Sequence, residues 1–198
     1  LNIPAAAADV ATVRLGDGVD LYAQGNISFA NRPAMDCGVV PGMRVQDAAR
    51  AMLDGTPRSP SASDVTNRTV MQTNQDGRQV ICTDSIAFGL PEDVRNVLVT
   101  AGHTGRSAVP YLLRVRPHGF ICSDGGKGRE AAGVAGLFLV EKEGLAGATV
   151  DARIARMGEG LSSYHDGVIS AANALAKAAG VEVGMTAAEA ATWLLQRP

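Results

Sequence analysis

Residues 96–105 read NVLVTAGHTG, a run of apolar, largely β-branched residues that ends in a loop of glycine, histidine and threonine. Two further short runs lie on either side of it, QVICT at 79–83 and HGFIC at 118–122, and each also ends in a polar loop. Short buried runs of this kind are typical of parallel strands that are covered on both faces. The sequence therefore predicts an α/β protein whose sheet is mostly parallel and flanked by helices.

The surrounding segments predict the remaining elements. Strands are expected at 69–73, paired with 79–83 through a turn at 74–77, and at 145–150. Helices are expected at 106–115, 129–142, 168–179 and 187–195. Thr186 and Glu189 have the spacing of a capping box at the start of the last helix.

A repeat extends the pattern to the front of the chain. The first 53 residues recur without a gap as 143–195, and 19 of the 53 aligned positions are identical. A repeat of this size predicts an internal duplication whose first copy is incomplete. The front of that copy was lost by an ancestor, is supplied by another chain, or lies upstream of Leu1. We expect 1–53 to be the C-terminal part of a first unit, 54–67 an exposed linker rich in Pro, Ser and Asp, and 68–198 a complete α/β unit.

The repeat also predicts one local difference between the copies. Pro33 lies inside the segment that aligns with the predicted helix at 168–179. A proline in a helix interior removes a hydrogen bond, so we expect a kink there. The first copy would then have diverged toward a scaffold role.

Composition excludes several classes of protein. A net charge of −2 with scattered Lys and Arg argues against nucleic acid or an acidic membrane as a partner. The longest apolar run, 134–140, is shorter than the roughly 20 residues that span a bilayer, and no signal peptide is visible, so we expect a cytoplasmic protein. Neither the Walker loop nor the dinucleotide fingerprint is present, so no cofactor is predicted. The histidines and cysteines lack metal-ligand spacing, and Cys37, Cys82 and Cys122 are expected to be reduced core thiols.

The loops that follow the three central runs carry the candidate catalytic residues. They are Asp84, Ser85, His103 and Asp124. Because ligands of parallel sheets bind beyond the carboxyl ends of the strands, we expect these side chains to share one crevice. His103 would act as a base, an aspartate would orient it, and Ser85 is a candidate nucleophile. The alternative is that each aspartate caps a helix or closes a turn.

Candidate substrate-binding residues lie in the same loops and in the repeat. The turn at 125–129 and the helix expected after it would offer backbone amides and positive charge to a carboxylate or phosphate. A tight glycine turn with solvated basic residues is the structural alternative. The repeated arginines lie in loops that keep a glycine pair, an acid and a tyrosine in both copies. Two interpretations stay open for them: they bind substrate, or each forms an ion pair that holds its loop in place. The full set is Thr104, Ser123, Gly125, Gly126, Lys127, Arg129, Arg156 and Arg14.

These residues favour an enzyme that acts on a small anionic metabolite, a carboxylate or an amide, by general acid/base chemistry of the hydrolase or lyase type. Two other interpretations stay open. The first is a non-catalytic module that binds a small anion in the same crevice. The second is a homo-oligomer or a subunit of a larger assembly, in which a partner chain supplies the missing part of the first repeat.

Overall fold

The computed structural model describes residues 3–55 and 68–198. These residues divide into two compact units, one made of 3–55 with 128–130 and the other of 68–127 with 131–198. Apart from Asp54 and Gly55, the predicted linker lies outside the described residues. Within the described part of the chain, no helix has the length and apolar character needed to cross a membrane.

The smaller unit is built on a two-stranded antiparallel sheet with three helices. Its elements are β1 (Ala6–Ala8), α1 (Gly18–Gln24), β2 (Ile27–Ala30), α2 (Arg32–Asp36) and α3 (Val45–Leu53). A small core of aliphatic side chains joins the sheet to α2 and α3, and it comprises Ile27, Ala30, Ala34, Val39 and Ala48. Pro33 lies in the first turn of α2. The predicted kink is therefore wrong, because a first-turn residue has no intrahelical partner for its N–H.

The larger unit contains a six-stranded sheet in the order β3-β4-β5-β6-β7-β8. The strands are β3 (Arg68–Thr73), β4 (Gln79–Thr83), β5 (Val97–His103), β6 (Gly119–Ser123), β7 (Gly147–Val150) and β8 (Ile169–Ala172). The four central strands are parallel, and β3 and β8 are antiparallel edges. This arrangement confirms the predicted α/β class, the mostly parallel sheet and the hairpin between β3 and β4.

Helices cover the sheet on both faces. They are α4 (Val109–Val115), α5 (Ala135–Glu141), α6 (Gly160–His165), α7 (Ala174–Ala178) and α8 (Ala187–Gln196). Since side chains alternate across a strand, Val97 and Val99 join the core beneath α6 and α8, whereas Leu98 joins the core beneath α4 and α5. The capping box of Thr186 and Glu189 is present as predicted.

Two predicted helices differ from the structure. Residues 168–179 form strand β8 and then the short helix α7, because Ile169 pairs with β7 and Asn173 caps a new helix by accepting from the amide of Ala176. Residues 129–134 form a 3-10 segment, and regular helix begins only at Ala135. Glu130 and Ala131 have positive φ angles that a regular α-helix does not accept.

Candidate functional site

The three predicted loops follow β4, β5 and β6, which are adjacent parallel strands. Their carboxyl ends therefore lie along one edge of the sheet, as the sequence predicts. The side chains nevertheless line three different cavities. Asp84 lines one of about 300 Å³, His103 one of about 250 Å³, and Asp124 one of about 200 Å³.

Asp84 is joined to the start of α6. Its Oδ1 accepts a hydrogen bond of 2.9 Å from the amide of Gly160. A side chain at Gly160 would meet the carbonyl oxygen of Thr83 at 2.4 Å, so glycine is required for this approach. Glu159 lines the same cavity as Asp84. The lining of this cavity thus includes two carboxylates, and that of Glu159 is paired with Arg156.

His103 is held by the backbone of its own loop. Its Nδ1 accepts a hydrogen bond of 3.0 Å from the amide of Gly105. Burial lowers the pKa of His103, so the ring is neutral near pH 7. With Nδ1 acting as acceptor, the neutral ring carries its proton on Nε2. The group that orients this histidine is thus a backbone amide.

The cavity of His103 is lined by hydroxyl groups. Ser85, Ser107 and Tyr111 share it with the histidine, and no carboxylate is among the described residues that line it. The Oγ of Ser85 accepts from the amide of Ala87 at 3.2 Å, which leaves the serine O–H as a donor. This cavity therefore combines a few hydrogen-bond donors with an apolar lining from Ile86, Ala87 and Ala108, and it suits a small ligand that carries oxygen acceptors.

A cation contacts two of the residues that line this cavity. Arg114 stacks on Tyr111, with its guanidinium carbon 5.4 Å from the ring centroid. It also donates to the carbonyl oxygen of Ala87, a lining residue, at 3.2 Å. Ser107, Tyr111 and Arg114 were not singled out from the sequence. In the helix predicted at 106–115 they are four and three residues apart, a spacing that places side chains near one face of a helix. This spacing is the sequence signal that could have found them.

Asp124 joins two loops. Its side chain is buried, and its Oδ1 accepts from the amides of Gly126 at 2.8 Å and Ala152 at 3.0 Å. Lys127 and Arg153 line the cavity beside it together with Asp151. Arg153 pairs with Asp151 and lowers the pKa of that carboxyl to about 2.

The glycine turn directs its amides inward. Those of Gly125 and Gly126 donate to the side chains of Ser123 and Asp124, and the amide of Lys127 donates to the carbonyl oxygen of Asp124. The regular helix starts well beyond this turn, so its dipole does not reinforce it. Thr104 is buried and donates to the carbonyl oxygen of Ser123.

The arginines of the repeated loops are engaged in ion pairs. Arg156 pairs with Glu159 at 3.2 Å. In the smaller unit, Arg14 and Arg129 both pair with Asp20, and Arg14 also pairs with Glu130. The backbone hydrogen bond from Arg14 is the main cause of the lowered pKa of Asp20. Each of these arginines thus has an acidic partner.

The cysteines of the larger unit are buried thiols. Burial raises the pKa of Cys82 to about 12 and that of Cys122 to about 11, so both stay protonated at neutral pH. Among the residues that the structure describes, no group of three or more His, Cys, Asp or Glu side chains is arranged to hold a metal ion.

Three comparisons accompany this geometry: no protein-family model, no curated protein and no solved structure matches the chain. The function is therefore inferred from the chemistry of the cavities.

Proposed function

We propose that the protein is an enzyme that acts on a small anionic metabolite, a carboxylate or an amide, by hydrolase- or lyase-type chemistry in the cavity of His103. The observation that carries this proposal is the set of donors in that cavity, with Arg114 in contact with two of its lining residues, Tyr111 and Ala87. The neighbouring cavity is lined by Asp84 and Glu159 and has no histidine.

The state of His103 defines its role. A neutral ring with its proton on Nε2 donates a hydrogen bond to a substrate carbonyl or amide oxygen and stabilises negative charge that develops there. Ser85 provides a second hydrogen-bond donor to the same oxygen, because the described lining of the cavity offers no base to take its hydroxyl proton. Asp84 and Asp124 position the loops through Gly160 and Ala152. Arg114 binds the anionic group of the substrate at the rim.

A matched pair of variants tests this role. A panel of small carboxylates and amides is incubated with the protein, and new products are detected by NMR. We expect His103→Ala to lower turnover roughly 100-fold or more, and His103→Gln, which keeps an N–H donor, to lower it less. Melting temperatures should stay close to wild type. Equal turnover in wild type and His103→Ala would reject the proposal.

The same donors also suit a module that binds the anion without chemistry. The described lining of this cavity supplies donors but no carboxylate base. Such a module would gain thermal stability with its ligand and return it unchanged. The NMR assay separates the two functions because only the enzyme yields new signals.

We further propose that the two similar segments arose by internal duplication, with an incomplete first copy. Backbone features support this proposal. They correspond between the two segments at a shift of 142 residues, which is the shift that aligns the sequences. The pairing of β1 with β2 has the register of β7 with β8, including the irregularity. The glycines with positive φ also correspond, and the pairs are Gly16 and Gly158, Gly38 and Gly180, and Gly42 and Gly184.

A role in assembly is a second candidate function, favoured by the exposure of the first copy. Tyr164 is 8% exposed, but its counterpart Tyr22 is 48% exposed; Leu195 is 3% exposed, but Leu53 is 83% exposed. Among the described residues, β1 pairs with β2 alone, whereas its counterpart β7 pairs on both sides. Large exposed apolar side chains beside a free strand edge are typical of an interaction surface.

The edge of β1 is compatible with an added parallel strand. In the larger unit, the carbonyl oxygens of Ala146 and Val150 accept from the amides of Phe120 and Asp124. The residue that aligns with Ala146 is Pro4. Because proline lacks only the N–H, its carbonyl remains available for this bond.

Native mass spectrometry tests the assembly function. We expect the full chain to form species heavier than its 20.4 kDa monomer, or to do so once a partner chain is present. Leu53→Glu should weaken that association, and Val183→Glu, at an exposed position of the second copy, serves as the control. A monomer at all concentrations, unaffected by either variant, would count against homo-oligomerisation.

A further inference from the structure

A basic cavity lies at the opposite end of the sheet from His103. Arg78 precedes β4 and His118 precedes β6, so both lie at the amino ends of parallel strands. Arg197 follows α8 and lines a cavity of about 580 Å³ together with Arg78, Asn74 and Asp76. This position separates the cavity from the carboxyl ends of the strands, where the proposed catalytic groups lie.

The basic groups of this cavity contact one another. The Nη1 of Arg78 donates to the carbonyl oxygen of Arg197 at 2.9 Å and lies 3.0 Å from the Nε2 of His118. Burial and then the charges of Arg197 and Arg78 lower the pKa of His118. Burial and then repulsion by Arg78 lower the pKa of Arg197. The cluster therefore holds positive charge that its own members do not neutralise.

Neither guanidinium group is paired with an acidic side chain among the described residues. No ion pair among the described residues joins Arg78 or Arg197 to an acidic side chain. The Nε of Arg197 is buried and has no hydrogen-bond partner among these residues. A buried donor without an acceptor is rare in folded proteins, and it marks the guanidinium group of Arg197 as short of partners. Asp76 lines the same cavity, but it is exposed.

We infer that this cavity binds an oxyanion, such as the phosphate or carboxylate group of a small ligand, through the guanidinium groups of Arg78 and Arg197. The planar fork of arginine matches the oxygen geometry of both groups. An oxyanion would accept from the guanidinium N–H groups and reduce the repulsion between the two arginines. Because it is built from other residues, this site is independent of the proposed enzymatic function.

Inorganic phosphate is the first probe, with line broadening in ³¹P NMR and the rise in melting temperature as the two measurements. Ionic strength is kept constant with chloride, because phosphate also stabilises proteins by exclusion from their surface. We expect saturable binding to the wild type. Arg78→Gln and Arg197→Gln should each weaken it roughly tenfold or more, as expected for loss of a charged hydrogen bond. Malonate in place of phosphate shows which oxyanion the site prefers.

Three controls make the result specific. Arg32→Gln removes one positive charge from an exposed side chain and should leave binding unchanged. Asp76→Asn should tighten binding because it removes a repelling charge from the cavity. Arg78→Gln and Arg197→Gln should cause the same loss of affinity in a His103→Ala background as in the wild type, which keeps this test separate from the enzymatic proposal. If Arg78→Gln fails to fold, Arg197→Gln and Arg78→Lys carry the test.

Two outcomes would overturn the inference. Unsaturable or absent binding of both phosphate and malonate to the wild type is the first. The second is an equal loss of affinity in Arg32→Gln and in the two cavity variants, which would show a response to net charge alone.

Discussion

Residues 3–53 and 145–195 share a backbone pattern but differ in burial. Asn31 and Asn173 each cap a helix by accepting from the amide three residues later. Around Asn31 the contacts are partly exposed, whereas Asn173 is fully buried. Caps and glycine turns thus set the local path of the chain, while burial depends on what packs against it.

The capping asparagines provide the strongest test of this comparison. Asn173→Ala should lower the free energy of unfolding of the larger unit by about 4 kcal/mol, because it leaves several buried backbone groups unpaired. These groups are the amides of Gly147 and Ala176 and the carbonyl oxygens of Leu137 and Leu145. Asn31→Ala should cost about 1 kcal/mol, as for an exposed cap. Urea unfolding is followed by hydrogen exchange, which reports the stability of each unit separately. Equal losses from the two variants would contradict the expected effect of burial.

The paired leucines test packing. Leu195 is buried in the main core, and Leu53 is exposed. We expect Leu195→Ala to destabilise the larger unit by about 3 kcal/mol through a cavity, and Leu53→Ala to change the stability of the smaller unit by less than about 0.5 kcal/mol. Chemical denaturation of both variants gives the comparison. A large effect of Leu53→Ala would mean that a partner or a further part of the chain covers this face in solution.

The paired tyrosines test one buried hydrogen bond. The hydroxyl oxygen of Tyr164 accepts from the Nε2 of Gln72 at 2.8 Å. Tyr164→Phe should therefore cost about 1 kcal/mol, whereas Tyr22→Phe, at an exposed site, should be neutral. The double variant Tyr164→Phe with Gln72→Leu provides the control, since removing both partners should cost less than the sum of the single losses. Additive losses would show that the two groups do not interact.

The smallest expected difference between the two segments is in how the free energy of unfolding responds to low pH. The pKa of Asp151 is lowered to about 2 by hydrogen bonds from Arg153. A lowered carboxyl pKa stabilises the fold above the unfolded value, near pH 4, and this contribution is lost as the pH falls toward 2. Asp151→Asn should flatten the acid limb of stability. Asp9→Asn should change it less because Ala11 occupies the position of Arg153; equal changes from pH-dependent unfolding would contradict this reasoning.

Strong periodic signals explain which elements could be predicted. The apolar runs of β4, β5 and β6 were sufficient because both faces of these strands are covered. Strand β8 was missed because alanine is common in 168–179 and favours helix, although Ile169 pairs with β7. At the candidate site, the sequence predicted adjacent loops. The sequence did not show that these loops line separate cavities, because the turn in each loop decides the direction in which its polar side chain points.

By itself, the sequence determined the α/β class, the central strands, the capping box of α8 and the similarity of the two segments, since these depend on local periodicity and on residue types at turns. Only the tertiary structure decided that His103 accepts from Gly105, that Ser107, Tyr111 and Arg114 belong with it, and that Tyr164 is buried while Tyr22 is exposed. Hydrogen-bond partners and burial arise from contacts between segments distant along the chain, and no local pattern specifies them.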